Sequence, residues 1–237
     1  MNYIVDQQLI NYNRPKTALV PQGFVVHATD DVGATAQNEH DYFNSGNRSA
    51  SAHYVVEWTK IIQMIPDNEQ AWHAGATANK KYLSVEICEP ANNNASQFQE
   101  AWNRAVWLVA SKCIQYGWDT SKIYSHADIS NLYHETDHTD PIGYFKQYGK
   151  SMDQFKNEVQ NQINLLKRGY VDMKKIVTYL GDADAFAAIV VARKNQCPLM
   201  LKSDYDASGL KADQVIPIGG KPGSDRYSTF KDAANLV

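Results

Sequence analysis

The amino-acid sequence predicts a mixed α/β protein, with a mixed central sheet flanked by helices, followed by a small C-terminal α/β domain. Short apolar runs alternate with amphipathic stretches of helical spacing through the first two-thirds of the chain. A second series of such elements begins near residue 175. The 237 residues are enough for one large and one small hydrophobic core, and 43% hydrophobic with 21% charged residues is typical of a folded protein.

Four apolar runs in the first half predict the strands of the central sheet. Each run is short and rich in β-branched or aromatic residues, and polar or turn-forming residues separate it from the next. The runs are FVVH (24–27), HYVVEW (53–58), IIQMI (61–65) and YLSVEI (82–87).

Three segments of helical periodicity accompany these strands, at 34–43, 96–116 and 151–166. The second carries an apolar stripe that we interpret as core and ends before Gly117; the stripe comprises Phe98, Trp102, Val106, Val109 and Cys113. The third opens with Ser151 and Gln154 in a capping-box pattern. These helices are expected to cover the sheet.

The C-terminal part has its own alternation, in the order β-α-β-β-α. The pattern comprises KIVTYL (175–180), an Ala-rich helix (184–194), PLMLK (198–202), QVIPIGG (214–220) and a last amphipathic segment from Tyr227. We therefore divide the chain into residues 1–169 and residues 170–237, with the boundary within 168–172.

Charge, hydropathy and cysteine content argue against several classes of protein. A net charge of −3 removes the strongest electrostatic argument for a nucleic-acid partner, because phosphate binding depends on clustered Lys and Arg. No apolar run is long enough for a membrane span, and the N-terminus lacks the pattern of a signal peptide. The three cysteines are an odd number without a CxxC pair, so neither a disulfide framework nor a cysteine zinc ribbon is expected.

Two histidines and one aspartate stand at positions suited to a site. His27 ends an apolar strand, His126 follows the short segment KIYS, and Asp140 precedes Pro141 in a polar loop. Two imidazoles and one carboxylate with an open fourth position form a catalytic zinc arrangement. Their spacing is too long for a local motif, so histidines of the core or surface remain the alternative.

Six short motifs add a family resemblance. FVVHATD, SAHYVVE, AWHAG, YLSVEICE, SHADIS and HTDP occur in this order over roughly residues 20 to 145. In this order they resemble the zinc-dependent N-acetylmuramoyl-L-alanine amidase family, which shares its fold with peptidoglycan recognition proteins and T7 lysozyme. The resemblance implies an enzyme that hydrolyses the amide bond between N-acetylmuramic acid and L-alanine in peptidoglycan.

The resemblance also implies the ligands of a zinc cofactor. His27 and His126 match the two histidine ligands, and Asp140 matches the third ligand in the branch of the family that uses aspartate in place of cysteine. Asp128 and Asp137 are nearby carboxylates that remain alternatives for the third ligand.

Two further positions match the family's catalytic groups. Glu86 matches the catalytic carboxylate, and the alternative is a surface carboxylate, free or paired with a neighbour such as Lys81. His138 stands where many relatives have lysine, which is a departure from the commoner pattern; a histidine there can still donate a hydrogen bond to an oxyanion.

Four side chains in or near these motifs have more than one interpretation. Trp72 and His73, in AWHAG, are expected to bind substrate by lining the groove for the glycan and peptide. Trp72 and Trp58 are equally compatible with core positions. Cys88 shares a strand face with Glu86, and a buried structural thiol is the preferred interpretation.

The C-terminal part is similar to the cell-wall-binding repeat of clostridial surface proteins, through residues 182–201 and the segment VIPIGG. Together with the lack of a signal peptide, this similarity implies a phage endolysin that stays in the host cytoplasm until a holin releases it to the cell wall. The expected partners are peptidoglycan and a wall polymer, not a nucleic acid or a membrane. A stabilising or oligomerising domain, a non-catalytic peptidoglycan recognition module and a host autolysin remain alternatives.

The codons at the junction between the domains can encode a second start site for translation. Lys167, Arg168 and Gly169 can be encoded by a purine-rich ribosome-binding sequence, and Met173 follows at a plausible spacing for a start codon. We expect either a homo-oligomer or a complex of the full chain with its own C-terminal fragment starting at Met173. The alternative is that these residues only close a helix, with a basic residue and a glycine at its end.

Overall fold

The computed structural model describes residues 3–171, 175–208, 212–219 and 226–236. Its contacts divide the chain into two compact units, Met1–Asn164 and Leu165–Val237. This boundary lies a few residues before the one that we place at 169/170 from the sequence. Met173, the candidate internal start, lies outside the described residues.

The first unit is built on a six-stranded mixed sheet. Its strands are β1 (Val5–Gln7), β2 (Gly23–Ala28), β3 (Tyr54–Val56), β4 (Ile61–Gln63), β5 (Tyr82–Ile87) and β6 (Ile123–Ser125). They lie in the order β1-β4-β3-β5-β2-β6. The pairs β2/β5, β2/β6, β3/β5 and β1/β4 are parallel, whereas β3 and β4 are antiparallel. The four predicted strands are confirmed, and β1 and β6 are additions.

Helices flank this sheet, as the sequence predicts. They are α1 (Ala36–Phe43), α2 (Ala76–Asn79), α3 (Ala95–Tyr116), α4 (His126–Tyr133), α5 (Ile142–Gln147) and α6 (Met152–Val171). The predicted apolar stripe of α3 is buried throughout, and Gly117 ends the helix with a left-handed φ of 70°. Ser151 accepts a hydrogen bond from the Gln154 backbone N–H, which is one half of the predicted capping box.

The core lies on both faces of the sheet. Phe24, Val25 and Val26 of β2 are fully buried, and Val55 of β3 and Leu83 of β5 are as well. Strands covered on both faces read as continuous apolar runs, which explains why these segments were recognisable in the sequence. The sheet therefore provides a rigid support for residues at its edges.

The second unit has a three-stranded parallel sheet. Its elements are β7 (Lys175–Tyr179), α7 (Asp182–Asn195), β8 (Leu199–Leu201), α8 (Lys202–Ser208), β9 (Gln214–Ile218) and α9 (Arg226–Ala234), with strand order β8-β7-β9. The predicted order omitted α8. Both β8 and β9 are parallel to β7, and parallel strands need a crossover rather than a hairpin, so a helix between them has a physical reason.

The core of the second unit joins its sheet to the Ala-rich helix α7. Val177 of β7 and Ile216 of β9 are buried against Ala188 and Val191 of α7. Small alanine side chains allow the helix to approach the sheet closely. Among the described residues of the whole chain, no helix combines the length and hydrophobicity needed to cross a membrane.

Candidate metal centre

The candidate site lies where three parallel strands end at the same edge of the first sheet. His27 lies near the end of β2 and is paired in register with Glu86 of β5. β6 pairs with the other side of β2, and His126 directly follows it as the first residue of α4. The ends of parallel strands meet at one edge, so residues far apart in the chain become neighbours.

Capping fixes the start of α4 and therefore the position of His126. Ser125 accepts a hydrogen bond from the Asp128 backbone N–H at 2.9 Å, and the Asp128 carboxylate accepts one from the Ser125 N–H at 2.8 Å. This reciprocal pattern occupies Asp128, which was an alternative third ligand. The Ala127 N–H donates to the Asp140 carbonyl at 3.3 Å, which holds the Asp140 loop against the helix.

Asp140 lies between the two histidines. Its Oδ2 atom is 3.1 Å from His27 Nδ1, and its Oδ1 atom is 3.1 Å from His126 Nδ1. One ligand atom from each of these residues falls within 4.8 Å of the other two. The three side chains, which the sequence spaces far apart, therefore form a compact donor set that can hold a metal ion.

The other nitrogen of each imidazole has a protein partner. His126 Nε2 is 3.1 Å from Thr136 Oγ1, and His27 Nε2 is 3.1 Å from His73 Nδ1. Such contacts orient metal-binding histidines and select their tautomer. Thr136 was not identified from the sequence, since a threonine ten residues from His126 in a polar loop carries no pattern of its own.

The electrostatics favour deprotonated ligand atoms. Burial lowers the pKa of His27, so the neutral imidazole that a metal requires is favoured. Burial opposes ionisation of Asp140, but hydrogen bonds with His126 and His27 outweigh it and hold the pKa of that carboxyl below its usual value. Two imidazole nitrogens and one carboxylate fit the donor set of a catalytic metal centre.

Glu86 lines the same cavity as these three residues. Burial, followed by the Asp140 charge, raises the pKa of Glu86 well above its usual value. Its Oε2 atom is buried and has no hydrogen-bond partner among the described residues. Lys81, the alternative partner considered from the sequence, instead contacts the Tyr133 hydroxyl at 3.2 Å. An unpartnered buried carboxylate is costly unless a ligand or ion uses it.

His138 is the most accessible member of the group. Its side chain is 63% exposed, and its Nδ1 lies 3.8 Å from Asp140 Oδ1. The ring stacks on that of His126, with centroids 4.6 Å apart and an interplanar angle of 10°. Stacking holds the imidazole beside the candidate ligands while one edge stays open to a bound molecule.

One cavity of about 740 Å³ is lined by the three candidate ligands and by His73, Glu86 and His138. This volume is within the usual range of ligand-binding clefts. Trp72 also lines the cavity and is 37% exposed, so its indole face is available there. Asp137 lines the same cavity but is not part of the compact donor set.

Trp58, Cys88 and His53, which also lie in or near the sequence motifs, pack in or against the core of the first unit. Trp58 is partly buried against a core cluster that contains Cys88. The Cys88 thiol is fully buried, as the preferred interpretation holds. His53 is buried, with Nδ1 near Ser84 Oγ at 3.0 Å and Nε2 near the Glu69 carbonyl at 2.9 Å. These residues support the sheet without entering the donor set.

Comparisons with known proteins show which family the first unit resembles. A family model described as N-acetylmuramoyl-L-alanine amidase matches residues 17–143. The amidase CwlL of Bacillus licheniformis is 36% identical in an alignment of 137 residues that covers 51% of this chain and 38% of that protein. The chain spans less than half the length of the first curated relatives that it matches.

Two solved structures share the fold. The Staphylococcus aureus hydrolase AmiA, solved with its ligand, gives a TM-score of 0.66 at 25% identity, covering 73% of this chain and 89% of AmiA. A mutant endolysin from Bacillus subtilis gives a TM-score of 0.56 at 25% identity, covering 67% of this chain and 99% of the endolysin. The similarity therefore extends over most of the first unit.

Proposed function

Because the chain belongs to the N-acetylmuramoyl-L-alanine amidase family, we propose that it hydrolyses the amide bond between N-acetylmuramic acid and L-alanine in peptidoglycan. The observation that carries the proposal is the donor set of His27, His126 and Asp140 beside the unpartnered Glu86 carboxylate. A metal donor set next to a carboxylate that can act as a base is an arrangement that supports amide hydrolysis by water.

We propose zinc as the metal, held by Nδ1 of His27, Nδ1 of His126 and the Asp140 carboxylate. Two histidines and one carboxylate, with a further position left for water or substrate, are a common catalytic zinc set. When bound, zinc polarises a carbonyl group and lowers the pKa of water so that hydroxide forms near neutral pH. Asp128 caps α4, which leaves Asp140 as the carboxylate for this role.

The chain's own residues move the protons. Glu86 accepts a proton from the attacking water, and the water oxygen forms a bond to the carbonyl carbon. Glu86 then donates that proton to the amide nitrogen as the carbon–nitrogen bond breaks, which releases the amine of L-alanine. His138 donates a hydrogen bond to the carbonyl oxygen while negative charge develops there. Trp72 packs against a sugar ring or a peptide plane of the substrate.

Digestion of purified cell walls tests the reaction. The expected products are new alanine amino termini and glycan strands freed of peptide, both identified by mass spectrometry. Glu86→Gln is the matched control, since it retains the side-chain shape without the base. Binding of walls with no new termini from the zinc-loaded wild type would instead indicate a non-catalytic recognition module.

For the second unit, Leu165–Val237, we propose binding to a cell-wall polymer. The support is the similarity of its sequence to a clostridial wall-binding repeat, together with a folded sheet and helix core that is separate from the catalytic residues. We further propose that the protein is an endolysin of a phage that infects clostridia; a host autolysin with the same chemistry is the alternative. It would act on the wall after holin-mediated release from the host cytoplasm.

A fragment starting at Met173 is proposed as a partner of the full chain. Extra copies of the wall-binding unit would raise avidity without adding active sites. Expression of the gene with the Met173 codon changed to a non-start codon tests this idea. A short fragment that disappears with the change supports internal initiation. A fragment that persists, or none from the unaltered gene, excludes it.

A further inference from the structure

His73 connects a buried carbonyl group to the candidate ligand His27. Its Nε2 atom is 3.2 Å from the Tyr82 carbonyl oxygen, and its Nδ1 atom is 3.1 Å from His27 Nε2. The two imidazole rings meet edge to face, with centroids 5.3 Å apart. His73 thus has protein partners at both ring nitrogens.

The backbone of His73 is held in place as well. The Asn79 side-chain oxygen accepts hydrogen bonds from the N–H groups of His73 at 2.8 Å and Ala74 at 3.0 Å. Asn79 is the last residue of α2, so the loop that carries His73 is tied to a helix. A side chain with a fixed backbone and two ring partners has little freedom to change orientation.

The hydrogen-bonding partners determine which nitrogen of each ring carries a proton. A carbonyl oxygen only accepts, so His73 Nε2 must be the donor to Tyr82. In a neutral His73 ring, Nδ1 is then the acceptor, and His27 Nε2 must donate to it. A neutral His27 that carries its proton on Nε2 has a free lone pair on Nδ1.

That lone pair faces Asp140. His27 Nδ1 and the Asp140 Oδ2 atom are 3.1 Å apart. Without a metal, a proton on His27 Nδ1 can bridge these two atoms by hydrogen bonding. When His27 carries its only proton on Nε2, both atoms are acceptors, and a metal cation between them relieves their repulsion. Thr136 contacts Nε2 of the other candidate ligand, His126, as His73 contacts Nε2 of His27.

We propose that His73 is a positioning residue, which sets the tautomer and orientation of His27 so that His27 Nδ1 binds the metal. This inference rests on the zinc centre proposed above. It differs from the substrate-binding role expected from the sequence, because His73 acts through His27 rather than through a contact with the glycan or peptide.

Zinc affinity of His73 variants, measured by competition with a chelator, provides the test. His73→Phe retains a planar ring but removes the acceptor for His27 Nε2, and we expect about 10- to 100-fold weaker zinc binding. His73→Gln retains a carbonyl acceptor and an amide donor, and it should recover most of that loss. Trp72→Phe, which alters the adjacent cavity residue, is the control and should leave zinc affinity unchanged.

Nitrogen-15 NMR of the zinc-loaded wild type provides a second readout, independent of activity. We expect His27 and His73 each to carry a single proton, on Nε2. A proton on His73 Nδ1, or unchanged zinc affinity in His73→Phe with a raised KM, would overturn the proposal in favour of a substrate contact. If His73→Phe does not fold, His73→Ala replaces it. The proposal is then overturned if His73→Ala binds zinc as tightly as the wild type does. It is also overturned if His73→Gln loses as much zinc affinity as His73→Ala does.

Failure of the metal centre itself has a different signature. A wild-type chain that binds no zinc would overturn both the zinc centre and the role of His73. Normal zinc binding by the wild type and by every His73 variant would overturn the role of His73 alone.

Discussion

His27 and Glu86 are register partners on the neighbouring parallel strands β2 and β5. Partners in register share a face of the sheet, so the candidate base and a candidate ligand stand side by side on a rigid support. The sheet around them is fully buried, including Val26 and Val85, the residues that precede each of them. Such a support holds reacting groups in place more firmly than a loop does.

Glu86→Gln is expected to retain zinc and to lose at least about 10²-fold in kcat, because the amide cannot accept the water proton. Turnover on purified walls and bound zinc should be measured on the same preparation. Glu89→Gln is the matched control, since Glu89 is a carboxylate that lines the same cavity and is not in the donor set. Near-normal activity of Glu86→Gln would falsify its assignment as the base.

His27→Ala, His126→Ala and Asp140→Ala are each expected to lose zinc and activity, because three protein ligands leave no spare donor. Metal content of the purified variants checks this expectation. Asp137→Ala is the control and should keep its zinc, since Asp137 lines the cavity outside the compact group. A chelator should abolish wild-type activity, and added zinc should restore it. Zinc retained by Asp140→Ala would move the third ligand to another carboxylate.

His138→Ala should lower kcat by about 10²-fold while zinc is retained, as for removal of one hydrogen-bond donor to an oxyanion. His138→Lys restores a donor at this exposed position and should recover part of the loss. Steady-state kinetics on a soluble muropeptide separate kcat from KM. A raised KM with unchanged kcat would assign His138 to substrate binding instead.

Glu39 of helix α1 makes stability depend on pH. Burial, followed by the charge of Asp31, raises its pKa from 4.5 to about 7. Because the folded protein disfavours ionisation of this carboxyl, ionising it lowers the free energy of unfolding. The loss begins as pH rises above the pKa of the carboxyl in the unfolded chain, and it is complete above its pKa in the folded protein. Glu39→Gln should therefore stabilise the protein above pH 7, by about 1 to 2 kcal/mol after screening by solvent is taken into account, and change little near pH 4.

Urea unfolding of the wild type and Glu39→Gln, both kept free of zinc by a chelator, checks this prediction. Zinc is removed because metal binding depends on the protonation of its ligands and would add its own dependence on pH. The difference between the two free energies of unfolding should grow from pH 4.5 to pH 7 and then level off. A difference that is independent of pH would show that Glu39 ionises normally in the folded protein.

Residues 1–171 alone are expected to fold, bind zinc and cleave soluble muropeptides, because every candidate site residue lies in Met1–Asn164. The shortened chain should give the circular dichroism spectrum of a folded α/β protein and should bind as much zinc per molecule as the full chain does. The isolated second unit should bind host walls without cutting them. Loss of zinc by the shortened chain would contradict the two-domain division, and a second unit that ignores host walls would contradict its anchoring role.

The sequence by itself determined the strands β2 to β5 and the long helix α3, since their apolar runs are continuous or periodic. It did not reveal β1 or β6, because strands of three residues are too short to show a period. Helix α8 was missed for a different reason. Local sequence patterns do not indicate whether two strands are parallel. A crossover between β8 and β9 is needed only because both strands run parallel to β7.

For the candidate site, the sequence determined which residue types were available, through the ordered motifs around His27, His126 and Asp140. The resemblance carried by these motifs already implied these three residues as one set of zinc ligands. Only the tertiary structure decided the distances between them, the helix cap that Asp128 forms, and the contact of His73 with His27. The physical reason is that hydrogen bonding between parallel strands brings the ends of β2, β5 and β6 to one edge. Which side chains meet there depends on the register of strands far apart in the chain, a property that no local pattern contains.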